Sequence, residues 1–313
     1  LRRTGYDGDV VLSVSSPDKL APGVEDYLRS RAGEGLVAYS VDWDCYEKSG
    51  EKLKRRGTTT TNNGFSDCKI HGMYADVYGN SIDDPREARP VATARFELYW
   101  AFCLNYSPKS RILLVDVRDT YFQLNPFSGI PRTYPSSPDG FLYLFEENAY
   151  PTSAAPNIGG SAYNSRWIRR AYGNDALKSV ANKTVICSGS TIGDQVAIET
   201  YLRAMVKQFD DTKCKMVGCD QGLHNFVYYS GAISDVSGIR DIIVAQQGKG
   251  VVNNLAALRN SPLRDQGVLQ NGTDLVLNWD GSVSAVAHQF DRDKELKGIM
   301  KHRTDKLLSE LKF

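Results

Sequence analysis

The stretch R111-I-L-L-V-D-V-R-D-T-Y-F-Q-L-N-P-F127 decides how this chain is read. Four apolar residues, Ile112 to Val115, run directly into Asp116, and Asp119 follows three positions later. A short apolar run of this kind is a buried strand. In open α/β sheets, ligands bind beyond the carboxyl ends of the strands. Two carboxylates in that position suit a hard divalent cation, and such a cation can hold a diphosphate. The same residues also admit a plainer reading, in which Asp119 caps a turn and Asp116 pairs with Arg118.

Upstream, Asp9–Val14 reads as a first strand, Pro17–Arg31 as a helix and Leu36–Ser40 as a second strand, a βαβ opening that favours a parallel sheet. Glu47–Asn80 is polar and rich in Thr, Asn and Gly, which predicts a long loop or irregular insertion. Pro90 precedes V91-A-T-A-R-F-E-L-Y-W-A-F-C-L-N-Y106, a long buried helix that feeds the strand before Asp116. Gly140–Phe145 is another strand, ending in Glu146 and Glu147. Helices are expected over Ser165–Tyr172, Val196–Phe209 and Gln221–Tyr229, the last capped by Asp220. Thr184–Ser188 is strand-like. Asp274–Trp279 and Ser284–Phe290 flank Asp280-Gly281, a hairpin signal, and a charged amphipathic helix closes the chain from Asp293 to Leu311. No repeat, linker or domain boundary interrupts the 313 residues. The expected fold is a single α/β domain with a mixed, mainly parallel sheet flanked by helices.

Charge and cysteines narrow the functional classes. Lys and Arg total 38 against 37 Asp and Glu, and the longest basic cluster is the short run Lys52–Arg56, so nucleic acid is not an expected partner. No stretch approaches the ~20 apolar residues of a membrane-spanning helix. A membrane contact would need an anchor outside the sequence, which begins at Leu1 rather than a methionine. Six cysteines include Cys214 and Cys219, close enough for a small loop disulfide, and Cys103, which sits in an apolar pattern as a buried thiol. Sequons at Asn105, Asn182 and Asn271 tilt the expectation towards the secretory lumen, with the Golgi as the compartment.

The order of motifs resembles a family. A helix bearing Arg95 precedes D116-V-R-D119, followed by D220-Q-G-L-H-N225 and then H288-Q-F-D-R-D-K294. This is similar to the GT-A glycosyltransferases, most of all to the retaining glycogenin-like group (glycosyltransferase family 8) or a sister family, whose D-x-D, D-Q-G-L-L-N and H-x-x-G-x-x-K motifs have the same order. The resemblance spans Asp9 to Lys294. It implies a GT-A, Rossmann-like fold with a nucleotide-binding part over about 9–127 and a sugar and acceptor part over about 128–313. It also implies transfer of a sugar from a nucleotide donor, UDP-linked, to a hydroxyl on a glycan or glycoprotein, with retention.

On this resemblance Asp116, Asp119 and His288 would hold Mn²⁺ or Mg²⁺, and the imidazole favours Mn²⁺. Arg95, Asp116, Arg118 and Lys294 would face the donor phosphates. Asp220 and Gln221 would lie at the reacting sugar, with Glu146, Glu147 and Asp291 towards the sugar or acceptor. The sequence departs from the family at Arg118, which stands where the second acid belongs, and at Asp291, which replaces the motif glycine. Four alternatives stay open: an inverting enzyme with Asp220, Glu147 or Asp291 as base, a metal-independent enzyme in which Arg118 neutralises the phosphate, a non-catalytic carbohydrate-binding relative, and a metal-dependent phosphohydrolase.

Overall fold

The structure, a computed structural model, describes residues 1–46, 67–130, 140–147, 157–234 and 237–310. The first strands are β1 (Val10–Val14) and β2 (Leu36–Ser40), paired in parallel around helix α1 (Val24–Arg31). The expected helix from Pro17 is split: a 3₁₀ turn covers Pro17–Lys19, and Gly23 opens α1. Next come β3 (Trp43–Tyr46), β4 (Asp67–Ile70), β5 (Tyr74–Ala75), β6 (Ser81–Ile82) and β7 (Arg89–Pro90). Part of the predicted insertion is therefore ordered into short strands, while its residues 47–66, which include the basic run, lie outside the described residues. A disulfide between Cys45 and Cys68 ties β3 to β4.

Helix α2 (Val91–Cys103) leads into β8 (Arg111–Val115), as the sequence predicts. After β9 (Thr120–Phe122) and β10 (Phe141–Glu146) comes α3 (Ala162–Val180), longer than the expected Ser165–Tyr172 because Ser161 caps it upstream and the chain continues past a break at Gly173. β11 (Ile186–Asp194) extends well beyond the expected Thr184–Ser188, since both its edges are paired. Asp194 then ends the strand and caps α4 (Gln195–Thr212), accepting the Ala197 N–H at 2.9 Å. Buried Ile198, Tyr201, Leu202, Met205 and Phe209 recur at helical spacing along α4. Each such side chain contributes about 1.5–3 kcal/mol on burial.

Helix α5 (Cys219–Tyr229) precedes β12 (Asp241–Ala245), β13 (Val252–Asn254), β14 (Val286–His288) and the final helix α6 (Lys294–Glu310). The Asp280-Gly281 turn forms, but its flanks make only the isolated bridge Leu277–Val283 instead of a full hairpin. Ser284 N–H bonds Val276 instead, and β14 leaves to pair with β9 and β13.

The molecule is mixed α/β, but the sheet is not mainly parallel as expected. Parallel pairing joins β1 to β2, β10 to β12 and β13 to β14, and every other strand pairing among the described residues is antiparallel. The central sheet runs β12-β10-β11-β8, and a second sheet runs β13-β14-β9. The antiparallel turn of the design comes from β11, which returns between β8 and β10 and so breaks a parallel series that βαβ patterning alone would continue.

No helix among the described residues is long and apolar enough to cross a membrane. Cys214 and Cys219 form the predicted short-loop disulfide, and Cys103 is a buried free thiol, as is Cys187. Two disulfides are compatible with an oxidising, secreted or lumenal setting.

Candidate functional site

The ends of β8, β11, β13 and β14 converge on one place. Asp116 follows β8, and its N–H bonds the carbonyl of Gly189 in β11 at 3.0 Å. Val117–Asp119 form a single 3₁₀ turn, so the extra residue between the two acids is absorbed and Asp119 comes back towards the sheet, buried. His288, the last residue of β14, is paired with Thr120 on one side and Asn254 on the other. Its Nε2 lies 3.7 Å from Asp119 Oδ1. Asp116, Asp119 and His288 each offer a ligand atom, all within 4.8 Å of one another.

The hydrogen-bond pattern fixes what the imidazole presents. Asn254 donates its amide N–H groups to the carbonyls of Phe145, at 3.3 Å, and Glu146, at 3.0 Å. Its oxygen therefore faces His288 Nδ1, at 2.8 Å. An amide oxygen only accepts, so Nδ1 carries the hydrogen and Nε2 carries a lone pair. That Nε2 is buried and has no hydrogen-bond partner among the described residues. Burial also pushes the His288 pKa down against the opposing fields of Asp119 and Asp116, which favours the neutral ring. A neutral imidazole whose far nitrogen is fixed by an amide is the form that ligates a metal.

Space at this point is reserved by a glycine. A Cβ added to Gly189 would lie 2.5 Å from His288 Cε1, 2.8 Å from Nε2 and 3.1 Å from Asp116 Oδ2. The glycine thus lets the imidazole pack directly on the strand, and two carboxylates and one imidazole around the small gap between them suit a divalent ion that accepts mixed oxygen and nitrogen ligands.

Beside this gap stands Arg95 from α2. Its two end nitrogens are taken by Asp116 and, at 3.1 Å, by Asp220. Burial disfavours the guanidinium charge, and the fields of Asp116 and Asp220 more than restore it. Arg95 thus couples two acids from distant segments instead of offering a free fork. Arg118 points outward and is 76% exposed, reaching Asp119 at 3.5 Å and Asp291 at 4.0 Å. Asp291 pairs with Arg292 at 3.1 Å. Lys294 is exposed at the start of α6, and no hydrogen bond or ion pair joins it to these groups among the described residues.

The segment D220-Q-G-L-H-N225 docks α5 on β11. Asn225 bonds both backbone groups of Ile186 at 2.8 Å, and Gln221 Oε1 accepts the Ser188 N–H at 2.7 Å. Four helical residues rise about 6 Å and two strand residues about 6.6 Å, so the two side chains meet alternate residues of the strand in register. Gly222 permits the approach, because a Cβ there would lie 2.6 Å from Trp167 Cβ on α3. The cap of α5 is Gly218, not Asp220 as expected. Asp220 sits in the first turn with its side chain turned to Arg95 and to Ser188 Oγ at 3.4 Å. Burial raises its pKa, with Arg95 opposing. His224 in the same segment is structural, buried against Tyr201 at 2.7 Å.

A cleft of about 730 Å³ opens alongside, lined among others by Trp167, Ser188, Asp220, Gln221, Glu147 and Gln289. Glu147 is gripped by two amides: Gln221 Nε2 at 2.9 Å and Gln289 Nε2 at 3.4 Å. Gln289 reaches it from a left-handed backbone, φ 62°, directly after His288. Burial raises the Glu147 pKa, opposed by those two hydrogen bonds. Glu146, one residue earlier, bonds Asn254 through its carbonyl and does not line the cleft. Sequence reasoning gave Gly189 no role at the metal and missed Asn254 and Gln289. The pattern H288-Q289 carried the last, but nothing in V251-V-N-N254 marked Asn254 as a partner of His288.

No protein-family model matches this chain, and no curated protein matches it.

Proposed function

We propose that this chain is a GT-A glycosyltransferase that moves a sugar from a nucleotide donor, UDP-linked, to a hydroxyl on a glycan or glycoprotein acceptor. One observation carries the reading. Asp116, Asp119 and the lone pair of His288 lie within 4.8 Å of one another, with the imidazole packed on Gly189 so closely that any Cβ there would collide with it, and they do so in the motif order of that group of enzymes. When bound, Mn²⁺ or Mg²⁺ would neutralise charge developing on a departing diphosphate. Asp116, Asp119 and His288 would hold it, while Asn254 keeps the imidazole in its ligating tautomer and Arg95 ties Asp116 and Asp220 side by side. Asp220 and Gln221 border the adjoining cleft, where the sugar would lie. The region of about 9–127 would serve the nucleotide and that of about 128–313 the sugar and acceptor, in the lumen of the Golgi.

Incubating the protein with Mn²⁺ and UDP-glucose, UDP-galactose, UDP-xylose or UDP-N-acetylglucosamine tests this. The expected result is metal-dependent UDP binding and slow release of UDP from at least one donor. Neither binding nor release with any of them contradicts the reading. Release of phosphate from simple esters with no sugar donor would favour a phosphohydrolase instead.

A further inference from the structure

We propose that Glu147 is the nucleophile of the reaction, forming a covalent bond to the anomeric carbon of the donor sugar. This rests on the donor-site reading above. Two carboxylates border the cleft beside that site, Asp220 and Glu147. Asp220 is committed to Arg95, 3.1 Å away, and to Ser188. A carboxylate whose lone pairs are engaged by a buried guanidinium is a weak nucleophile, because its charge is already compensated.

Glu147 is held differently. No ion pair reaches it among the described residues, and both its oxygens accept from neutral amides. Those amides are themselves anchored. Gln221 Oε1 takes the Ser188 N–H at 2.7 Å, and Gln289 Oε1 takes the Ala256 N–H at 3.2 Å. Each glutamine is therefore fixed with its NH₂ turned to Glu147, so the carboxylate is held in one orientation by neutral donors, with no cation in contact and only the field of Arg259 reaching it. Neutral donors orient it while leaving its charge free for a carbon centre.

Its position is on the donor side. The amide of Gln221 links Glu147 directly to Ser188, the neighbour of Gly189, whose Cα floors the gap between Asp116 and His288. The carboxylate thus lies one side chain away from where the diphosphate would be held. Two steps follow. In the first, a Glu147 oxygen bonds to the anomeric carbon as the bond from that carbon to the diphosphate oxygen breaks, and the electron pair leaves with the diphosphate. In the second, an acceptor hydroxyl oxygen bonds to the same carbon. The bond to Glu147 breaks, its pair returns to the carboxylate, and the hydroxyl proton passes to an oxygen of the released diphosphate. Two inversions give net retention, as in retaining glycosidases.

The experiment uses the whole chain with Mn²⁺, the four UDP-sugars named above and UDP itself. Product configuration is read by proton NMR for the unaltered protein, and Glu147→Gln and Glu147→Ala are compared with it. Retained configuration is expected. Glu147→Gln should bind UDP as the parent does and lose roughly a thousandfold in donor turnover. Glu147→Ala supplied with azide should regain donor consumption and yield a glycosyl azide of the configuration opposite to the donor. An inverted product from the parent overturns the proposal whatever the variants do, as does turnover by Glu147→Gln within about tenfold of the parent. Absence of UDP binding by the parent would instead overturn the donor-site reading on which this one stands.

Discussion

Asn254 accepts the Nδ1 hydrogen of His288 at 2.8 Å, while its own N–H groups are bound to the carbonyls that end β10. The amide cannot rotate without losing those carbonyls, so the strand end dictates which nitrogen of His288 bears a lone pair. Asn254→Ala removes that constraint. The expected outcome is a 10- to 100-fold loss of Mn²⁺ affinity, of the size typical for such outer partners, seen by titrating Mn²⁺ in the presence of UDP. Unchanged affinity would mean the tautomer is set elsewhere.

Gly189→Ala is the steric counterpart. Its methyl would occupy space 2.5–3.1 Å from His288 and Asp116, atoms held by packing on several sides. The buried imidazole must shift to admit the methyl, so both the metal ligand and the packing around it are disturbed. Loss of metal-dependent UDP binding together with a lowered melting temperature is expected, and retention of binding would show that His288 is not held against Gly189 as a ligand.

Arg95→Met tests the coupling of the two acids. It leaves Asp220 buried beside Asp116 with no cation, and a broken buried pair costs on the order of 3 kcal/mol. Denaturant unfolding at neutral pH should show a loss of that order. The loss should shrink at acid pH, because burial already raises the Asp220 pKa and protonation then relieves the repulsion.

His224 gives a pH dependence of its own. Burial lowers its pKa from 6.5 to about 3, so between those values the unfolded chain binds a proton that the folded chain refuses. Stability contributed at this position is full above pH 6.5 and is lost as pH falls towards 3, at up to about 1.4 kcal/mol per pH unit. His224→Gln should flatten the acid limb of stability against pH in that window. An unaltered slope would show that the imidazole titrates normally.

The cysteines make a count. Denatured without reductant, the protein should show two reactive thiols, Cys103 and Cys187, and after reduction all six. Six thiols before reduction would rule out both disulfides.

Much of this was legible in the chain and some was not, for identifiable reasons. The apolar run before Asp116, the buried helix carrying Arg95 and the amphipathic α4 all follow from local pattern. So did the association of Asp116, Asp119 and His288, which the motif order suggested and the fold brings together. The Asp116–Asp119 spacing, which looked irregular, is resolved by one 3₁₀ turn. Sheet polarity was misjudged because β11 inserts antiparallel between β10 and β8, a long-range pairing that no local period records. Asp220 has the residue type of a helix cap, but Gly218 takes that place, since Asp220 gains more from Arg95. Asn254 and Gly189 act through partners 34 and 99 residues away, His288 from Asn254 and Gly189 alike, and such pairs have no signature along the chain.

The proposed donor site stands on one divalent ion, held by Asp116, Asp119 and His288, that binds a nucleoside diphosphate. Electron paramagnetic resonance of Mn²⁺ with UDP tests it most directly, comparing the parent with Asp119→Ala and His288→Ala. The parent should immobilise one Mn²⁺ with spin-echo modulation from a single imidazole nitrogen, His288→Ala should lose this modulation, and Asp119→Ala should leave the free-ion signal. Equal immobilisation by Asp119→Ala, or nitrogen modulation that persists in His288→Ala, would contradict it.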